Sequence, residues 1–192
     1  MEPDANRLVQ AARGGQDAAA VELIEMFYQR VYAFLRRLTG NDADAEDLTQ
    51  RTFGRVWQRL GSFAGRASVS SWIHSIAYHA YIDWRRADRH GEVRSDEWWA
   101  ARPAREARPD ESVAQADLAA QVYARVDALE PDLRETVHLH YYQELTLDET
   151  AGAMGAATST VKYRLRLALK ELQKALATEP VPSGRQTTLR SL

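Results

Sequence analysis

From Asp17 to Leu38 the apolar side chains Val21, Ile24, Phe27, Val31, Phe34, Leu35 and Leu38 recur at three- and four-residue intervals, the spacing of one face of an α-helix. The same period returns in several later segments, and no segment alternates convincingly with a period of two. A chain patterned in this way is expected to be all-α. "TGND" punctuates the first helix, and Asn41 suits the N-cap of the next. Asp42, Asp44, Glu46 and Asp47 then bring negative charge to that helix's positive end, and Leu48, Phe53, Val56, Trp57 and Leu60 continue along it. "GSFAGRAS" breaks the pattern. A third long stretch, from about Val69 to Asp88, repeats Trp72, Ile73, Ile76, Ala80 and Trp84 at helical spacing.

Between about Arg89 and Glu111 the period dissolves into "HGEVRSDEWWAARPAREARPDE", a charged, proline-bearing run that reads as a linker. Helix is expected again from about Ser112 to Leu129. Pro131 fits a first helical turn, and Asp132 and Glu135 suit the start of a helix reaching about Tyr142. The chain thus divides into two helical units, 1–95 and 118–178, joined by a flexible linker at 96–117 and followed by a tail at 179–192.

With 45% hydrophobic and 27% charged residues, the composition argues against a wholly disordered chain. A formal net charge of −2 argues against a wholly basic coat for nucleic acid, so any anion-binding surface must be local. Absence of cysteine removes disulfides, thiolate catalysis and cysteine-ligated metal. "MEPDANRLVQ" is acidic and has no basic region leading into an apolar stretch, and nowhere do 18 apolar residues run together; a cytoplasmic protein without membrane insertion is expected.

The densest cationic helix is "TSTVKYRLRLALKEL", residues 158–172. A short helix, the turn "GAATS" and this basic amphipathic stretch follow the order of a helix-turn-helix, whose second helix can enter a major groove. Val161, Leu165, Leu169, Leu172 and Leu176 are read as its inward seam. Lys162, Arg166, Lys170 and Lys174 recur every four residues beside it, with Glu171 the one nearby acid. Like charges in one row repel unless an anion faces them; a merely solvated face would more usually interleave acids.

Two blocks carry a resemblance. "LTGNDADAEDLTQRTFGRVWQRLGSFAGRASVSSWIHSIAYHAYIDWRR" resembles the first conserved domain, region 2, of bacterial RNA polymerase sigma factors, and "LEPDLRETVHLHYYQELTLDETAGAMGAATSTVKYRLRLALKELQKAL" is similar to their last, region 4. A chain holding these two alone, in this order, is similar to the extracytoplasmic-function (ECF) group. The resemblance implies a non-enzymatic initiation factor that binds the polymerase core, recognises −35 and −10 promoter elements and assists melting. It implies no cofactor and no metal, and leaves open whether an anti-sigma protein is a further partner.

Residue by residue, the resemblance puts contact with the polymerase core on Asp44, Asp47, Gln50 and Phe53. Arg51 departs from the acid usual in the family. Asp42 and Glu46 are accounted for by the helix dipole alone. The −10 element falls to Phe63, Gly65, Arg66 and Ser68, whose loop would receive an unstacked base, with His79, Arg85 and Arg86 on the following helix. His79 stands where asparagine is common. Trp72 and Trp84 read as core before they read as stacking platforms. The −35 element falls to Ser159, Thr160, Lys162, Tyr163 and Arg166, while Leu167 and Leu169 replace frequent arginines.

Rival classes find less support. His138 and His140 are two apart and point in different directions on a helix, so they do not form a metal pair. "NDADAED" lacks the glycine-centred loop of a calcium site. A one- or two-component regulator would need a phosphoacceptor domain or a ligand pocket, and residues 1–88 read as neither. The adjacent Trp98 and Trp99 in the linker are unexplained by either unit, and two such rings are expected to find a burial partner.

Overall fold

The computed structural model describes residues 2–88 and 121–178, and every regular element in them is helical. The expected linker, the Trp98–Trp99 pair and the tail lie outside the described residues. The helices are α1 (Glu2–Arg13), α2 (Asp17–Thr39), α3 (Asp42–Arg59), a short 3-10 turn (Leu60–Ser62) and α4 (Val69–Asp88). After these come α5, described at 121–127, α6 (Pro131–Val137) running into a wide π turn (His138–Tyr142), α7 (Leu147–Met154) and α8 (Thr158–Thr178).

The periodicity reading begins at residue 17 and misses α1, whose inner face is marked only by buried Ala5, Leu8 and Val9. For α2 the pattern translates directly: Leu23, Phe27, Val31, Phe34, Leu35 and Leu38 are buried, and Gly40 ends the helix at φ 80°, its N–H donating to the Arg36 carbonyl. Asn41 caps α3 as expected, its Oδ1 accepting from the Asp44 N–H at 2.8 Å. α4 carries Ile73, Ala77, Ala80 and Tyr81 into the same apolar cluster, against α2 and α3.

In the C-terminal unit, Val126, Leu129, Leu133, Val137, Ala151, Val161, Leu165 and Ala168 form a second cluster. The seam expected on α8 needs correction. Leu169 and Leu176 are 44% and 41% exposed, and Ala168 takes the inward place beside Val161 and Leu165, with Leu172 half-buried. The 3.6-residue period keeps 161, 165, 168 and 172 on one line and turns 169 and 176 away from it. The expected Pro131–Tyr142 helix widens over its last turn, where the Gln143 N–H reaches back to the His138 carbonyl. Leu139, Leu145 and Ala153 of this unit pack into the first cluster, so the two cores meet along α4.

Candidate nucleic-acid interface

The α7–turn–α8 pair is built by local chemistry. Thr146 and Glu149 form a reciprocal capping box at the start of α7, with the Glu149 N–H donating to Thr146 Oγ1 at 3.2 Å and the Thr146 N–H donating to Glu149 Oε2 at 3.0 Å. Gly155 closes α7 at φ 64°, a left-handed position that disfavours residues with a Cβ. α8 begins at Thr158, and the carbonyl of Ala157 accepts its first backbone bonds. Thr158 donates its hydroxyl to Asp148 Oδ1 at 2.8 Å and so ties the two helices together. An ion pair between Arg164 and Asp132 ties α8 to α6.

On α8 the residues assigned to −35 reading come together. Ser159, Lys162, Tyr163 and Arg166 lie on one exposed stripe, Tyr163 with 64% of its surface open, and Thr160 is half-buried at its edge. Lys170 extends the stripe by one turn. Hydroxyls, an ammonium, a guanidinium and a phenol along one helix face can meet phosphates and base edges together.

The residues assigned to the −10 element divide into three environments. Gly65 and Arg66 are exposed in the loop before α4, Gly65 at φ 68°. His79 and Arg86 lie exposed on α4. Phe63 is buried, with its ring centroid 4.8 Å from that of Trp72, because the loop folds down onto the apolar cluster. Trp72 is half-buried against that cluster, in keeping with the core reading. Ser68 and Arg85 are already engaged. Ser68 Oγ accepts from the Ser71 N–H at 3.1 Å and donates to Glu149, and Arg85 forms an ion pair with Glu135 of α6.

Glu135 occupies a place that its sequence spacing did not indicate. Expected as a helix-start acid, it is fully buried between the units and also accepts from Tyr78 Oη at 2.8 Å. Burial pushes its carboxyl above the usual range, against the opposing pull of Arg85 and Tyr78. Partial burial likewise pushes Glu149 up, but the donors Ser68 and Thr146 outweigh it and hold that carboxyl low.

On α3, Asp47 and Gln50 are exposed, and Asp47 pairs with Arg51 at 2.8 Å. Asp44 is half-buried within the cap, held by the Asn41 side chain. Phe53 is buried, its ring centroid 5.9 Å from that of Tyr28. Trp57, through which the apolar residues of α3 continue, is 48% exposed and shares the outward face with Asp47 and Gln50. Asp42 does more than offset the helix dipole, accepting from Arg36 Nε at 2.5 Å and from Tyr32 Oη at 2.8 Å to tie α3 to α2. Among the described residues, no helix is long and apolar enough to cross a membrane.

Comparison with known proteins agrees with this arrangement. The Sigma-70 region 2 family matches residues 23–90, and the Sigma-70 region 4 family matches residues 119–172. The ECF RNA polymerase sigma factor SigE of Mycolicibacterium smegmatis is 31% identical over 159 residues, which are 81% of this chain and 61% of that protein. The ECF RNA polymerase sigma factor SigX of Bacillus subtilis is 31% identical over 156 residues, 79% of this chain and 80% of that protein. In fold, the chain is similar to the sigma factor RpoE of Bartonella quintana, solved in complex with the anti-sigma factor NepR, with a TM-score of 0.65 at 22% identity over 83% of this chain and 97% of that one. Two family matches in this order, on two helical units of which the second ends in a helix-turn-helix, place the chain in the ECF group of RNA polymerase sigma factors, initiation factors that are not enzymes.

Proposed function

We propose that this chain binds the RNA polymerase core through the outward face of α3 and selects promoters in the cytoplasm, reading the −35 element with α8 and the −10 element with the loop and exposed face of α4. The region 2 unit occupies 1–95, the region 4 unit 118–178, and 96–117 links them. The observation that carries this reading is the stripe of Ser159, Lys162, Tyr163 and Arg166, exposed on the second helix of a helix-turn-helix whose opposite face, Val161, Leu165 and Ala168, is buried. An anti-sigma protein like the one bound to the Bartonella RpoE is a further partner that fits this class.

The test is transcription with purified core enzyme. Lys162→Ala and Arg166→Ala each remove one donor to base edge or phosphate, and each is expected to lower output from −35-dependent promoters by about 1–3 kcal/mol of lost binding, roughly 5- to 150-fold. Affinity for the core should be unchanged. Promoter binding by the chain alone, with no need for core, would place it instead among autonomous regulators.

The polymerase face has its own test. Asp47→Lys reverses an exposed charge whose pair with Arg51 contributes little to stability. It should weaken core binding about tenfold at low salt and much less at 0.5 M salt, since rim charges are screened. The circular-dichroism melt should stay within ~0.5 kcal/mol of wild type. Asp44 is left out because its reversal would also break the α3 cap.

A further inference from the structure

His79 is an exposed side chain near the middle of α4. Its Nδ1 lies 2.7 Å from the Ser75 carbonyl, one turn back on the same helix. A carbonyl oxygen can only accept, so the ring proton sits on Nδ1 and the neutral imidazole presents Nε2 as a bare acceptor. The buried Tyr78 ring meets the imidazole edge-on, with centroids 6.0 Å apart and planes at 80°. A backbone bond on one side and an aromatic neighbour on another limit rotation of the ring. Asp83, one turn further along α4, pairs with Arg55 of α3 at 3.4 Å, and among the described residues nothing bonds to His79 Nε2.

We propose that His79 sorts promoter bases by their exocyclic group, accepting a hydrogen bond at Nε2 from an amino base and rejecting a keto base. The inference rests on the assignment of the exposed face of α4 to the −10 element, and it names the base class which that face takes. On the major-groove edge adenine offers its N6 amino group and cytosine its N4 amino group as donors, whereas guanine O6 and thymine O4 are acceptors. Nε2 facing a keto oxygen sets two acceptors against each other, and both lose the water that had satisfied them. A side chain able to donate and accept meets either class, as the amide of asparagine does by turning over. A neutral histidine whose one N–H is spent on the backbone has no such choice. The ring therefore adds discrimination rather than general affinity. Arg66 and Arg86, exposed on the loop and on the same helix, carry guanidiniums that can donate to the phosphate of any nucleotide.

Holoenzyme assembled from the full chain and purified core is given a pool of linear templates with a randomised upstream region, each barcoded in its transcribed part so that the RNA reports which promoters fired. At about pH 8, above the ordinary titration range of imidazole, one position of the −10 element should favour A or C over G or T about five- to tenfold. His79→Asn should reduce that preference to less than about twofold and leave the other positions as they were. His79→Lys, which can only donate, should turn the preference toward G or T. If neither variant changes the base preference at any position while Arg66→Ala still lowers output across the pool, the role given to His79 is overturned and the promoter reading of α4 stands. A His79-dependent preference for keto bases in the unaltered chain overturns the acceptor assignment of Nε2. Full output and an unchanged base profile in both His79→Lys and Arg66→Ala overturn the −10 assignment of the loop and α4, and this inference with it.

Discussion

Phe34→Ala is expected to lower the unfolding free energy by about 3–5 kcal/mol, enough to consume a large part of the stability of a chain this size. Phe34 is fully buried in the middle of α2, and its ring meets the His74 ring of α4 edge-on at 5.8 Å. Removing it leaves a cavity between two long helices whose backbones are fixed by their other contacts, so the site cannot collapse to fill it. Urea unfolding followed by circular dichroism checks the value. Val21, apolar and on the same helix but 50% exposed, is the contrast: Val21→Ala should change the result by no more than ~0.5 kcal/mol. Equal losses at the two positions would mean that α2 does not face the core as described.

Acid should destabilise the chain through His74 over a defined window. Burial holds the imidazole neutral and lowers its pKa from 6.5 to about 4, outweighing the bond to the Ser70 carbonyl, and the Arg30 charge lowers it further. In the folded state the ring therefore stays unprotonated down to about pH 4, whereas the unfolded chain takes up the proton near pH 6.5. Between those values the unfolded state binds more protons, so stability that is complete above pH 6.5 falls as pH falls, by up to ~1.4 kcal/mol per unit and roughly 3 kcal/mol in all. Urea midpoints at pH 7, 6, 5 and 4.5 give the slope, to which carboxylates add at the acid end. His74→Leu should flatten the part between pH 6.5 and 5, where few carboxylates titrate. Parallel curves for the two proteins would show that His74 is not buried neutral.

A surface consequence separates the two units. Lys162 and Arg166 are exposed on α8, and replacing them touches neither apolar cluster. Ser68 and Arg85 sit in the contact between the units, where a substitution removes a partner of Glu149 or Glu135.

What the sequence by itself determined is local. Helical period placed α2, α3, α4 and α8, because 3.6 residues per turn repeats the apolar face wherever packing buries it. The Asn41 cap and the turn beginning at Gly155 followed from residue chemistry within one turn, and the two family blocks were legible as contiguous strings. Only the tertiary structure decided which apolar residues of a stripe reach the core: Phe53 and Phe63 turn in while Trp57, Leu169 and Leu176 stay out, since a stripe wider than its contact leaves its edges in water. It also decided the fate of single charges. Asp42 and Glu135 carry the same carboxylate and both stand in a first or second helical turn, yet one ties two neighbouring helices at the surface and the other is buried against Arg85 and Tyr78, 50 and 57 residues away in the chain. Such pairings depend on how separate helices dock, and local spacing carries no record of that.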